Sequence, residues 1–205
     1  MVLASNGADV VVGDIVLDNA RSVAKEVSDL GRQSAAIHLD VTDQASVDAA
    51  IKEVMERFGR IDVLVNCAGI IAARGWEERD KATEDDWDQL YEVNVKGVAR
   101  VTDAVTEHMK ERRYGKIINI SSTAGRKGAR SEGPYCASKA ALINFAETLA
   151  AEVYDHGIDV NCICPGGVDT EMIRVTRGNP ESESGLMRPE EIAAVALFLA
   201  SDESS

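Results

Sequence analysis

The sequence predicts a three-layer α/β protein built on a doubly wound parallel sheet. Short, continuous apolar runs alternate with helical patterns along the whole chain. Strands that are apolar throughout, rather than at every second residue, are buried on both faces, as parallel strands are. In addition, small and polar residues recur where these runs end, at the carboxyl edge where open α/β sheets bind ligands.

The elements justify this in order. Residues 9–14, Asp-Val-Val-Val-Gly-Asp, read as a buried strand ending in a carboxylate. A helix over about 17–30 follows, stopped by Gly31. Residues 35–39 form the next strand, and Asp40-Val41-Thr42 leads into a helix over about 43–58. Residues 61–65 form a third strand, closing in Asn66-Cys67-Ala68-Gly69. A polar segment, 70–82, precedes a long helical region from Thr83 to about Arg113, whose start offers a capping box between Thr83 and Asp86. Asn94 and Gly97 are weak points within it, and a kink there would free a backbone carbonyl to hold a water. Lys116–Ser122 is a fourth strand, followed by the turn Thr123-Ala124-Gly125. Leu142, Phe145, Leu149 and Val153 give helical spacing from Tyr135 to about His156. Residues 158–163 form a fifth strand ending in Pro165-Gly166, a polar loop covers about 170–187, and Pro189 opens a last helix to Ala200.

The chain of 205 residues is expected to form one domain, 1–205. Its formal net charge of −13 argues against nucleic acid or an anionic membrane as a partner. No apolar run reaches bilayer length, and the N-terminus lacks a signal-peptide pattern. All four cysteines fall in apolar stretches, so buried reduced thiols and a cytoplasmic location are expected. Cys162-Ile163-Cys164 has the wrong spacing for a zinc knuckle, and strand alternation is expected to separate the two thiols. His38, His108 and His156 show no ligand-like grouping, so no metal is expected.

The ends do not close. Leu3–Gly7 reads as the last turn of a helix, and no strand follows Ala200. None of the sixteen glycines falls in a G-x-G-x-x-G or G-x-x-x-G-x-G pattern. The expectation is a sheet incomplete at both ends.

Tyr135 and Lys139 are one helical turn apart, so phenol and ammonium share a face. A nearby cation favours the phenolate, which suits a tyrosine to acid–base work. Ser122 stands at a strand's carboxyl end. Asp14 can hydrogen-bond an adenosine ribose and repel a 2′-phosphate, or cap the next helix. Asp40 can meet an adenine or cap a helix. Asn66-Cys67-Ala68-Gly69 allows close approach of a cofactor, or a tight turn. Thr170 can bond a carboxamide, or cap a short helix.

In order and spacing these motifs resemble the classical short-chain dehydrogenase/reductase family, over essentially the whole chain. The matches are Asn-Cys-Ala-Gly at 66–69 (family Asn-Asn-Ala-Gly), Val93-Asn94-Val95, Ile118 to Gly125, Tyr135-Cys136-Ala137-Ser138-Lys139, and Pro165-Gly166 through Thr170. The resemblance implies a Rossmann-like fold and Tyr135 as acid/base. It implies that Lys139 lowers the tyrosine's pKa and binds the nicotinamide ribose, that Ser122 polarises the substrate, and that Asn94 holds a relay water. Asp14, Asp40, Val41, Asn66, Ala68, Gly69, Tyr135, Lys139, Pro165, Gly166 and Thr170 would contact the cofactor. NAD is preferred on Asp14, with NADP possible.

The implied reaction is hydride transfer to or from a small alcohol or ketone, of the 3-oxoacyl thioester or sugar-alcohol kind. A homo-oligomer, tetramer or dimer, is implied through the helices at about 83–113 and 135–156. The family also has an N-terminal strand and glycine-rich turn between the strands ending at Asp14 and Asn66. Without them the sheet should open in the middle. The alternative is a truncated or cofactor-free homologue serving as an interaction or structural subunit.

Overall fold

A computed structural model describes residues 1–71, 81–128, 132–177 and 185–204. A single helical turn, α1 (Val2–Ser5), leads through Gly7, whose φ of +101° needs glycine, into β1 (Val10–Asp14). Helix α2 (Leu17–Asp29) returns the chain to β2 (Ser34–His38). Helix α3 (Gln44–Phe58) is capped at its start by the Asp43 carboxylate and at its end by left-handed Gly59. Asp43, not Asp40, is therefore the helix cap.

Strand β3 (Val63–Asn66) comes next. The long helix then runs as α4 (Glu84–Tyr91), a π turn (Glu92–Gly97) and α5 (Val98–Arg112). Thr83 and Asp86 form the reciprocal capping box. The π turn falls where Asn94 and Gly97 weaken the helix, with one more residue in the turn than an α-helix holds. Strand β4 (Gly115–Ile120) and a 3-10 turn (Thr123–Gly125) lead to α6 (Gly133–Val153). This helix begins two residues before Tyr135, because Pro134 suits a first turn. Strand β5 (Ile158–Ile163), α7 (Glu171–Arg177) and α8 (Pro189–Ala200) follow. The expected loop over 170–187 thus begins as a helix, and residues 178–184 lie outside the described residues, as do 72–80 of the polar segment.

All strand pairs are parallel, but the described strands form two sheets, β1-β2 and β3-β4-β5. Among the described residues, β1 and β3 each have one partner and do not pair with each other. The sheet is open where the sequence predicts it to be.

Successive residues of β4 face opposite layers. Ile117 packs with Val105 and Met109 of α5 and Leu149 and Val153 of α6. Ile118 packs with Ile163 and with Ala196 of α8. Both isoleucines are fully buried, which contributes about 2–3 kcal/mol each. A third apolar cluster, Ile37, Ala50 and Val54, seats α3 on β2.

The cysteines depart from expectation. Cys67 is exposed and the other three are half-buried: Cys67, Cys162 and Cys164 lie at or beyond strand ends, and Cys136 lies in the first turn of α6. Residues two apart on a strand share a face, so Cys162 and Cys164 meet rather than diverge. Burial, followed by the neighbouring Cys164, pushes the Cys162 thiol up to about 12.

Candidate active site

The carboxyl end of β4 is the centre of the site. Ser121 and Ser122 follow the strand and divide their work. The Ser121 hydroxyl is buried and donates to the Lys139 carbonyl at 2.8 Å, tying strand to helix. The Ser122 hydroxyl hydrogen-bonds the Tyr135 phenol and accepts from the Ala124 amide at 3.1 Å. Gly125 sits where a Cβ would lie 2.7 Å from the Lys139 carbonyl carbon and oxygen, so only glycine lets α6 pack this closely.

Helix α6 presents Tyr135 and Lys139 together. The Lys139 Nζ lies 5.8 Å from the centre of the Tyr135 ring. Lys139 is only 6% exposed, and its Nζ donates to the Ile120 carbonyl at 3.0 Å. Burial lowers its pKa. Burial also raises the Tyr135 phenol above its ordinary value, and the Ser122 hydrogen bond offsets part of this. Desolvation therefore dominates both groups here, and the expected lowering of the phenol by Lys139 is not what sets its balance in this structure.

Asn94, in the π turn, is completely buried. Its Oδ1 accepts from the Ile70 amide at 2.8 Å, and its Nδ2 donates to the Ile70 carbonyl at 2.8 Å and to Ser138 Oγ at 3.0 Å. Ser138 in turn donates to the Tyr135 carbonyl at 2.8 Å. Ser138, Ser121 and Gly125 were not singled out from sequence. Ser138 lies three residues after Tyr135, on the helix face turned inward, and that spacing was the available signal. A Cβ at Gly69 would lie 3.2 Å from Asn94 Oδ1 and 3.4 Å from Lys139 Nζ, so the turn after β3 closes directly over both.

The remaining predicted residues border the cleft in different ways. Asn66 turns its side chain inward, donating to Thr102 Oγ1 at 3.0 Å and Asn119 Oδ1 at 2.8 Å. Ala68 is exposed beside it. Asp14, ending β1, accepts from the Val16 amide through one carboxylate oxygen at 2.7 Å. Asp40 accepts from the Thr42 amide and hydroxyl, and these bonds hold its carboxyl below the usual value. Val41 packs against the π turn at Gly97. The Pro165 carbonyl accepts from the Thr123 amide at 2.8 Å, fixing Pro165-Gly166 beside the Ser122 turn. Thr170 begins α7, its carbonyl accepting from Ile173 and Arg174. The structure thus brings Asn94, Ser122, Tyr135 and Lys139 into one locality, with Asp14 and Asp40 at the ends of the other sheet.

Comparison with known proteins agrees with this architecture. The family model for short chain dehydrogenase matches residues 1–181. The chain is 40% identical to 3-oxoacyl-acyl-carrier-protein reductase FabG of Thermotoga maritima, an alignment covering 100% of this chain and 85% of that protein. It is 37% identical to sorbitol dehydrogenase of Cereibacter sphaeroides, covering 97% of this chain and 82% of that one. Among solved structures it superposes on a gluconate 5-dehydrogenase from Burkholderia cenocepacia in complex with NADP and tartrate. That match has a TM-score of 0.85 and 32% identity, covering 99% of this chain and 84% of that one. The chain belongs to the short-chain dehydrogenase family and is an NAD(P)-dependent oxidoreductase.

Proposed function

We propose that this chain moves a hydride reversibly between a nicotinamide cofactor and a ketone or secondary alcohol, with Tyr135 as the acid/base. The observation that carries the reading is the Ser122 hydroxyl bonded to a buried Tyr135 phenol beside the buried Lys139 ammonium. The relatives named as an oxoacyl reductase and a sorbitol dehydrogenase support two substrate classes, 3-oxoacyl thioesters and sugar alcohols.

The residues present fit a nicotinamide cofactor. The cradle at Gly69 would be filled by a Cβ, and Lys139 holds a buried cation there. Ala68, Gly69, Tyr135, Lys139, Pro165, Gly166 and Thr170 would hold its nicotinamide end, and Asp14, Asp40 and Val41 its adenosine end. When bound, the cofactor supplies or accepts the hydride. Everything else falls to the chain. Because burial raises its pKa, the Tyr135 phenol carries its proton at neutral pH, which suits a donor to a carbonyl oxygen during reduction. Ser122 orients that oxygen by hydrogen bonding, and the Lys139 charge favours the phenolate that remains. Asn94 pins the turn after β3 to α6, so that a relay water has fixed neighbours. Asp14 favours NAD, since a carboxylate repels a 2′-phosphate. Self-association as a dimer or tetramer through α4–α5 and α6 belongs to the same reading.

Fluorescence titration with NADH and NADPH tests it. Saturable binding, tighter for NADH, together with a loss of turnover of about a hundredfold or more in Tyr135→Phe, supports the reading. Normal turnover in that variant overturns it. Absence of saturable binding by the folded chain would count against it.

A further inference from the structure

Gly97 is the place where two parts of the cleft touch. A Cβ on it would lie 2.6 Å from Val41 Cγ2, 3.0 Å from Val41 Cβ and 3.3 Å from the Val41 carbonyl oxygen. Valine is stiff at this bond, so a side chain here would have to push the whole turn away. Immediately beyond, Arg100 donates from Nη1 to the Val41 carbonyl at 3.3 Å and from Nη2 to Glu92 Oε1 at 2.5 Å. Glu92 also accepts from Lys96 through its other oxygen at 2.9 Å.

Glu92 is the first residue of the π turn and Arg100 lies in the first turn of α5, so their ion pair straddles the whole turn that contains Asn94. A π turn is the less favourable helical form and needs such outside support. The two side chains are 24% and 31% exposed, so the pair is screened only in part. The planar fork of arginine serves two acceptors at once, which lysine cannot reproduce.

We infer that Arg100 is a positioning residue, tying the Asp40-Val41 turn on the adenosine side of the cleft to the π turn that holds Asn94 on the catalytic side. The inference rests on the cofactor reading above. Arg100 touches neither cofactor nor substrate; it acts by fixing Val41 and Asn94 relative to one another. Its loss should therefore change two readouts together: adenosine-side affinity, through Val41, and turnover at saturating cofactor, through Asn94. A purely structural role would lower only the melting temperature.

The test measures NADH and 5′-AMP dissociation constants, and turnover at saturating cofactor, for the parent chain, Arg100→Met, Arg100→Lys and Glu92→Gln. In Arg100→Met both dissociation constants should rise by the same factor, about tenfold for the loss of a charge-assisted hydrogen bond. Turnover should fall alongside. Arg100→Lys should recover the melting temperature but not the affinity, because an ammonium that pairs with Glu92 leaves the Val41 carbonyl without its donor. If Arg100→Met does not fold, Arg100→Lys carries the expectation for affinity and turnover, and Glu92→Gln, which keeps the Arg100 donor to the Val41 carbonyl, should lower turnover with a smaller loss of affinity. Affinity and turnover both within twofold of the parent, or a change in one without the other, would overturn the inference. A parent chain that binds neither ligand would instead overturn the cofactor reading beneath it.

Discussion

At the scale of single residues, Ser122 opposes the burial that dominates the charge state of the site. Its hydrogen bond lowers the Tyr135 phenol against a burial that raises it. Removing the hydroxyl in Ser122→Ala leaves burial unopposed, so the phenol should rise further. Alcohol oxidation needs the phenolate, and its rate climbs with pH as the phenol ionises. The rising limb of the pH–rate profile for oxidation should therefore move to higher pH in Ser122→Ala. An unmoved limb would mean that another group titrates. Tyr135 and Lys139 were legible because two residues one helical turn apart must share a face. Gly125 was not, since its importance lies in a contact with the Lys139 backbone that no local pattern encodes, and the spacing of Ser138 from Tyr135 marked its face but not its bond to Asn94.

At the scale of elements, the strand–helix boundary at Gly125 leaves no room for a side chain. An added methyl would meet backbone atoms at 2.7 Å, and backbone cannot swing aside as a long side chain can. Gly125→Ala should cost about 1–3 kcal/mol by overpacking, read as a lower urea midpoint. It should also cut turnover, because α6 carries Tyr135 and Lys139. The capping box of α4 is a milder case: Thr83→Ala should cost about 1 kcal/mol in the same assay and spare the chemistry. Most boundaries were legible to within two residues, with Gly31 and Pro189 punctuating the helices. The break at Asn94 was visible as a weak point, but its π geometry was not. That geometry follows from how Asn94 is held by Ile70 and Ser138, and from how Val41 and Arg100 press on Gly97 and Glu92. Helix α7 was legible only as the short helix that Thr170 could cap, because its Glu-Met-Ile-Arg-Val-Thr-Arg run is too short to show a period.

At the scale of the whole molecule, β4 is paired on both sides and β1 on one. Native-state hydrogen exchange should find the amides of Ile117 and Ile118 among the slowest, and those of β1 exchanging through smaller local openings. Equal protection of β1 and β4 would require a second partner for β1. Acid should act through Asp62, which joins the start of β3 to the end of α5. Burial works to raise its carboxyl, but Arg60 and Arg112 outweigh burial and hold it below the usual carboxylate range. A carboxyl depressed in the folded state contributes stability above its unfolded pKa and loses it as pH falls. Urea midpoints should therefore drop from about pH 4 downward, and drop less in Asp62→Asn. The opening in the sheet was legible through the family resemblance, which implies a strand between those ending at Asp14 and Asn66. The inward turn of Asn66 was not, since it depends on Thr102 and Asn119 from other elements. One last consequence comes from the chain of hydrogen bonds running from Ile70 through Asn94 and Ser138 to the Tyr135 carbonyl. It joins stretches 24 and 44 residues apart in sequence. Catalysis therefore reports on the entire assembly: under denaturant, activity and global structure should vanish in a single transition, with no partly unfolded species still turning over substrate.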